Sequence, residues 1–152
     1  MRLLISATLA AALLASPALA EGWKRVSGTE THISYLDPSF TSRAGDQATV
    51  REMKVYEPSG EYDGTTYRAR IVDYIFDCTT GRYRIMRVDS LDDAGGSKGV
   101  LTIGGDFRDA SVAGSVGEDL YKASCGLIPL TTAAPQTRTQ AIADGVYRLK
   151  QP

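Results

Sequence analysis

The chain has 152 residues, 23% of them charged, with 17 Lys plus Arg against 18 Asp plus Glu and a formal net charge of −1. That length supplies one modest hydrophobic core. The near-neutral balance excludes a nucleic-acid binder, which shows a clear basic excess, and one His with two well-separated Cys excludes a zinc site of the usual ligand number.

The first twenty residues have the three parts of a cleavable export signal. Arg2 supplies the positive charge, the apolar run extends from Leu3-Leu4-Ile5 through Leu9 to Ala15, and Pro17 breaks it before the small-residue site Ala18-Leu19-Ala20. The run is too short to cross about 30 Å of hydrocarbon. Cleavage after Ala20 leaves a mature chain from Glu21 with a charge of about −2, since Arg2 is the one charged residue removed. Glu21 stands where a lipoprotein needs Cys, so the expected product has no membrane anchor and is periplasmic or secreted.

Trp23 to Val26 and Thr31 to Leu36 read as a strand pair, with Ile33 and Tyr35 on one face and His32, Ser34 and Leu36 on the other. Asp37-Pro38 ends it, and Thr41 to Asp46 is a polar turn. A third strand runs from Ala48 to Tyr56, is closed by Pro58-Ser59-Gly60, and is followed by a turn at Asp63-Gly64. Thr65 to Cys78 is the strongest strand signal, rich in β-branched and aromatic residues. Thr79-Thr80-Gly81 joins it to Arg82–Val88 as a three-residue hairpin loop. That register sets Val72 opposite Val88, Asp73 opposite Arg87, Tyr74 opposite Met86 and Ile75 opposite Ile85. Asp92 to Gly96 is a turn, and Gly99 to Ile103 the last strand.

The pattern then changes. Ser115 and Glu118 have capping-box spacing, Leu120, Tyr121, Ser124 and Cys125 follow at helical spacing, and Gly126 ends the helix. Residues 127–152 form a Thr-, Ala- and Pro-rich extension, in which Gln140 to Lys150 reads as a weak helix or a late strand. The organisation is thus a signal at 1–20, a domain at 21–126 and an extension at 127–152. The fold class is α+β: an antiparallel sheet of about five to six strands with a C-terminal helix packed on it. In an oxidising compartment the isolated pair Cys78 and Cys125 reads as a disulfide, which chain entropy values at roughly 3–4 kcal/mol; the alternative is two buried thiols. The bridge would staple helix to sheet.

Several motifs invite a chemical reading. Gly95-Gly96-Ser97-Lys98-Gly99 has the spacing of a nucleophile elbow, but a strand follows Ser97 and the one histidine, His32, precedes it, so a glycine-rich hairpin turn explains it better. The same stretch lacks the first spaced Gly of a phosphate loop. His32, alone, reads as a partly exposed strand residue. Asp92, Asp93, Asp106 and Asp109 lack the order of a calcium loop and read as solvated turn residues. The strongest candidate is arginine. Arg68, Arg70, Arg82 and Arg84, with Arg87 nearby, would share one sheet face in the register above and form an anionic-ligand patch, since guanidinium binds carboxylates and phosphates in bidentate fashion. Charge placed against edge aggregation is the plainer reading, and Asp73 and Asp77 would neutralise part of it.

Trp23, the Tyr35-Leu36-Asp37 strand end, Tyr74-Ile75-Phe76-Asp77-Cys78, its arginine-rich partner strand and a late helix ending in Cys125 together resemble the surface-adhesin E-like family of Gram-negative exported proteins. The resemblance covers Trp23 to Cys125. It implies an antiparallel sheet with a packed helix and a Cys78–Cys125 disulfide. The adhesin that names the family is a surface lipoprotein that binds host matrix proteins and haem. This sequence departs from it in having no lipidation Cys, a single His and no Trp between the last strand and the helix, so no binding residue is carried over. The expectation is an exported non-enzymatic binding module with no cofactor and an unidentified protein or glycan partner in the envelope or outside the cell; the sheet edges could pair two copies. The alternatives are a small exported enzyme inhibitor of the lysozyme-inhibitor type, using the Thr79-Thr80-Gly81 loop, and an exported hydrolase resting on Ser97.

Overall fold

A computed structural model describes residues 22–110 and 112–151. The expected export signal lies outside the described residues. Eight strands build one antiparallel sheet: β1 (Lys24–Gly28), β2 (His32–Leu36), β3 (Ser42–Ala44), β4 (Gln47–Tyr62), β5 (Thr65–Asp77), β6 (Arg82–Leu91), β7 (Ser97–Thr102) and β8 (Arg108–Asp109). Six run side by side in the order β1-β2-β4-β5-β6-β7, while β3 pairs with β4 and β8 with β6. Helices α1 (Val116–Ser124) and α2 (Arg138–Leu149) follow. The α+β class is as the sequence indicates, with the two short strands β3 and β8 added to the six.

Strand alternation sends apolar side chains to both faces, and each face takes a helix. Ile33, Tyr35, Met53, Val55, Ala69, Ile71 and Leu91 pack with Trp23 against Ala141 and Ile142 of α2. Leu36, Ala48, Val50, Val72, Tyr74, Phe76 and Val88 pack against Leu120 of α1 and Cys125. The extension after Gly126 therefore supplies the helix that closes one side of the sheet. Its entry is fixed by Trp23 and Gln136, whose backbones exchange two 2.9 Å hydrogen bonds. Nine residues make α1 about 14 Å long, against about 50 Å for the sixteen residues of β4. The helices cannot cover their faces, and part of the sheet on the α1 side stays open.

Two local readings are corrected. Pro58-Ser59-Gly60 does not close the third strand: β4 continues to Tyr62, and its pairing with β5 shifts between Val55 and Gly60. The bulge leaves Pro58 without a ladder position, the condition under which a strand tolerates proline. The β5–β6 loop is the second. Asp77 pairs with Arg82, so the loop holds four residues, not three. That moves the near half of the ladder by one residue, to Tyr74 opposite Ile85 and Ile75 opposite Arg84. A bulge between Asp73 and Tyr74 restores the expected pairs Val72–Val88 and Asp73–Arg87.

Cys78, one residue past β5, and Cys125, the C-cap of α1, form the disulfide, with Cα atoms 5.6 Å apart. Around it Tyr121 Oη donates to the Cys78 carbonyl at 3.0 Å and Arg43 to that of Cys125 at 3.2 Å. On the other face, close approach depends on Gly145. A Cβ there would lie 2.8 Å from Val55 Cβ and Cγ1. Glycine inside a helix costs about 1 kcal/mol relative to alanine, and here it lets α2 lie on β4. Gly145→Val is expected to lower stability by about 1–3 kcal/mol through overpacking, read as a lower urea midpoint. Gly99→Ala, where the added Cβ meets nothing within 4 Å, should change it by no more than about 0.5 kcal/mol.

Candidate functional site

A cleft of about 330 Å³ lies between the N-terminal end of α1 and the sheet. Tyr74 and Phe76 of β5 and Tyr83 of β6 form its aromatic side; Ala110, Val112, Val116 and Leu120 close it from above. The three rings are packed, with centroids 5.6 to 5.9 Å apart. They meet because the corrected register sets Phe76 opposite Tyr83. Glu52 and Lys54 of β4 also line the cleft.

Glu52 is fully buried. A carboxylate so placed needs partners, and it has three. Ser34 Oγ donates to Oε1 at 2.7 Å, Tyr74 Oη donates to Oε2 at 2.8 Å, and Lys54 Nζ lies 3.5 Å from Oε2. Burial first, and then the Glu52 charge, push the Tyr74 phenol well above its ordinary value, so it stays a donor. Burial first, then the Lys54 charge, lower His32, with Glu52 acting the other way. His32 Nδ1 is 2.9 Å from Thr29 Oγ1, and its ring packs near Tyr56 at 5.8 Å. The sequence reading did not single out Glu52. Its signal was parity: Ala48, Val50, Glu52 and Lys54 fall on one strand face, and a carboxylate continuing a buried apolar row needs an explanation.

The four candidate arginines do not form one patch. The register shift at Tyr74 is the cause. Arg82 and Arg84 pair with Asp77 and Ile75, which alternate with Phe76 and Tyr74 and so face away from α1. Arg82 bonds the Phe107 carbonyl and sits 3.7 Å from Asp109, and Arg84 lies over the Phe107 ring. Arg68 is taken up by Glu57 and Asp93. Arg87 pairs with Asp89 at 3.0 Å and approaches Asp73, which also holds Arg51 in a bidentate pair at 2.7 and 2.9 Å. Arg70 remains on the α1 face, opposite Lys54 on one side and Ser90 on the other.

Ser97 opens β7, and its hydroxyl donates to Asp89 at 2.6 Å. Four strand spacings, about 19 Å, separate β7 from the β2 strand that carries His32. No imidazole reaches it. Asp92 Oδ1 accepts from the Ala94 and Gly96 amides, as a turn residue does. In the Thr79-Thr80-Gly81 loop, Asp77 accepts from the Thr79 and Thr80 amides, and Gly81 is buried. Among the described residues no group of three or more His, Cys, Asp or Glu could hold a metal ion, and no helix is long and apolar enough to cross a membrane.

The sheet, the α1 helix and the bridge between Cys78 and Cys125 occupy the stretch matched by one family model, that of surface-adhesin protein E, over residues 23–126. The chain belongs to the surface-adhesin protein E family. No curated protein and no solved structure matches it. Membership gives this adhesin-E chain a surface-adhesin-like binding role. The match ends at Gly126, before α2, so the cleft with Glu52 lies within it.

Proposed function

We propose that this chain is an exported, non-enzymatic binding module whose ligand seat is the α1 face of the sheet. The observation that carries this reading is the cleft of about 330 Å³ with a fully buried, three-partnered carboxylate in its lining. A concave, largely apolar site with a few convergent polar groups is the usual form of a recognition pocket. The serine hydroxyl paired with Glu52, that of Ser34, is fully buried and closed to a substrate, and the Ser97 hydroxyl is committed to Asp89. The partner is an envelope or extracellular component. A second copy would pair through β7, an exposed edge carrying Val100 and Leu101 at 49% and 48% exposure.

Val112 lines the cleft and is 67% exposed, so Val112→Trp fills the opening without disturbing the core. The mature domain, immobilised, is expected to retain components of envelope extracts or host matrix preparations, and Val112→Trp to lose them with its thermal midpoint unchanged. Equal retention by the variant would remove the cleft from the account. Turnover of ester, peptide or glycoside substrates by the wild-type domain would overturn the non-enzymatic reading.

A further inference from the structure

Beyond the cleft, on the same sheet face, Arg70 lacks a counter-charge among the described residues. Arg70 stands directly opposite Lys54 on β4. Like charges in facing strand positions are destabilising, so the pairing asks for a compensating anion. Lys54 has Glu52 at 3.5 Å. Arg70 has no carboxylate partner and no side-chain hydrogen bond among the described residues; its Nε, like that of Arg84 on the opposite face, is buried without an acceptor, so its terminal nitrogens are the ones left for a ligand. A buried guanidinium nitrogen without a partner is uncommon in folded proteins and calls for a reason.

The surroundings give one. Arg70 Cζ lies 4.0 Å from the Tyr67 ring centroid and 5.0 Å from that of Tyr62. Stacking fixes the plane of the guanidinium and leaves its edge to meet an oxyanion. Tyr62 is 56% exposed and offers a flat apolar surface. Next to it a depression of about 160 Å³ is lined by Tyr62, Asp63, Thr65, Ser90, Lys98 and Gly99, with Val100 and Leu101 as its apolar side. It mixes acceptors, donors and hydroxyls that serve as both, which suits a polyhydroxylated ring better than a purely apolar one. Gly99 leaves the floor open, with nothing within 4 Å of where its Cβ would be. Ser90, the other cross-strand neighbour of Arg70, joins the guanidinium to the depression.

We infer that Arg70, with Lys54 beside it, is the anion-recognising element of a subsite for an acidic saccharide. The anionic group sits on the Arg70 edge, the sugar ring lies on Tyr62, and its hydroxyls reach Ser90, Thr65 and Asp63. This deepens the binding reading and names a ligand class; of its residues only Lys54 also lines the cleft that Val112→Trp obstructs, and Arg70, Tyr62 and the depression lie outside it.

Titration calorimetry of the mature, disulfide-intact domain with D-glucuronate, D-glucose 6-phosphate, inorganic phosphate and D-glucose tests it. One of the two charged sugars is expected to bind at least about tenfold more tightly than glucose and than phosphate alone, and to weaken as salt rises. Arg70→Gln should reduce that affinity by about ten- to a hundredfold, the range of a charge-assisted hydrogen bond. Arg70→Lys should restore part of it. Arg84→Gln removes the same charge from the opposite face and should change nothing. The inference is overturned if glucose or phosphate binds as tightly as the charged sugars, if none of the four binds, if Arg70→Gln binds like wild type with an unchanged thermal midpoint, or if Arg84→Gln is equally damaging. If Arg70→Gln proves less stable, Tyr62→Ala, at an exposed ring, must weaken the charged sugar for the inference to stand. Val112→Trp should bind the sugar normally, so failure of the cleft and failure of this subsite are read separately.

Discussion

Replacing Cys78 and Cys125 together by alanine should lower the unfolding free energy by about 4 kcal/mol, the chain-entropy value for a loop of this span, whose sequence separation is 47. That is a large part of the roughly 5–15 kcal/mol that holds a typical domain. The effect should be greatest at α1. This helix is short, and an isolated helix of nine residues does not persist in water. It is held by Leu120 in the core, by the disulfide at its C-terminus, and by Ser27 Oγ donating to Asp119 at 2.6 Å. The same change should therefore open the cleft, since Val116, Gly117 and Leu120 line it. Urea titration of the double variant gives the stability. Near-ultraviolet circular dichroism of the tyrosines under α1 reports whether that face loosens first. An unchanged midpoint would mean that the bridge adds nothing to the fold.

Glu52→Ala is expected to cost about 2–4 kcal/mol. The removed carboxylate leaves the Ser34 and Tyr74 hydroxyls buried without their acceptor, at about 1–3 kcal/mol each. Lys54 is part-exposed and can turn to water, so it adds little. Glu52→Gln keeps one acceptor oxygen and should cost only about 1 kcal/mol. Tyr74→Phe removes a single donor from the carboxylate and should fall between the two. This ordering, measured by urea midpoints, separates a hydrogen-bonded network from simple loss of volume. If all three variants cost the same, the residues act as packing and the network has no special standing.

These elements differ in how far the sequence discloses them. β2 alternates cleanly, so its two faces follow from period two alone: Ile33 and Tyr35 pack toward α2, and Leu36 toward α1. The disulfide follows from export and an isolated cysteine pair. The arginine patch did not survive, because it depended on register. One extra loop residue before Arg82, compensated by a bulge at Tyr74, is enough to send two of four side chains to the opposite face. Neither event has a mark in the local composition, since Gly81 and the two threonines before it suit either loop length.

Helix caps show a similar limit. Ser115 does cap α1, accepting from the Glu118 amide at 3.1 Å, but Glu118 turns to the Gly114 amide. The reciprocal box is at Thr137 and Gln140, ahead of α2. The sequence there reads as a polar extension because α2 contributes mainly small residues to the core, Ala141 and Gly145, with Ile142 the one large buried side chain. Such a helix owes its position to the sheet beneath it. Glu52 was hidden for the opposite reason: a charged residue in a strand passes for a solvent-facing one until the residues on either side of it are placed.

Amide hydrogen exchange, with and without the material the domain retains, tests the binding-face account most directly. The account predicts added protection at Glu52 and Lys54, along Tyr74 to Phe76, at Tyr83, and from Val116 to Leu120, with α2 unchanged. Protection confined to α2 or to the β1 edge, with the α1 face exchanging as in the free domain, would contradict it.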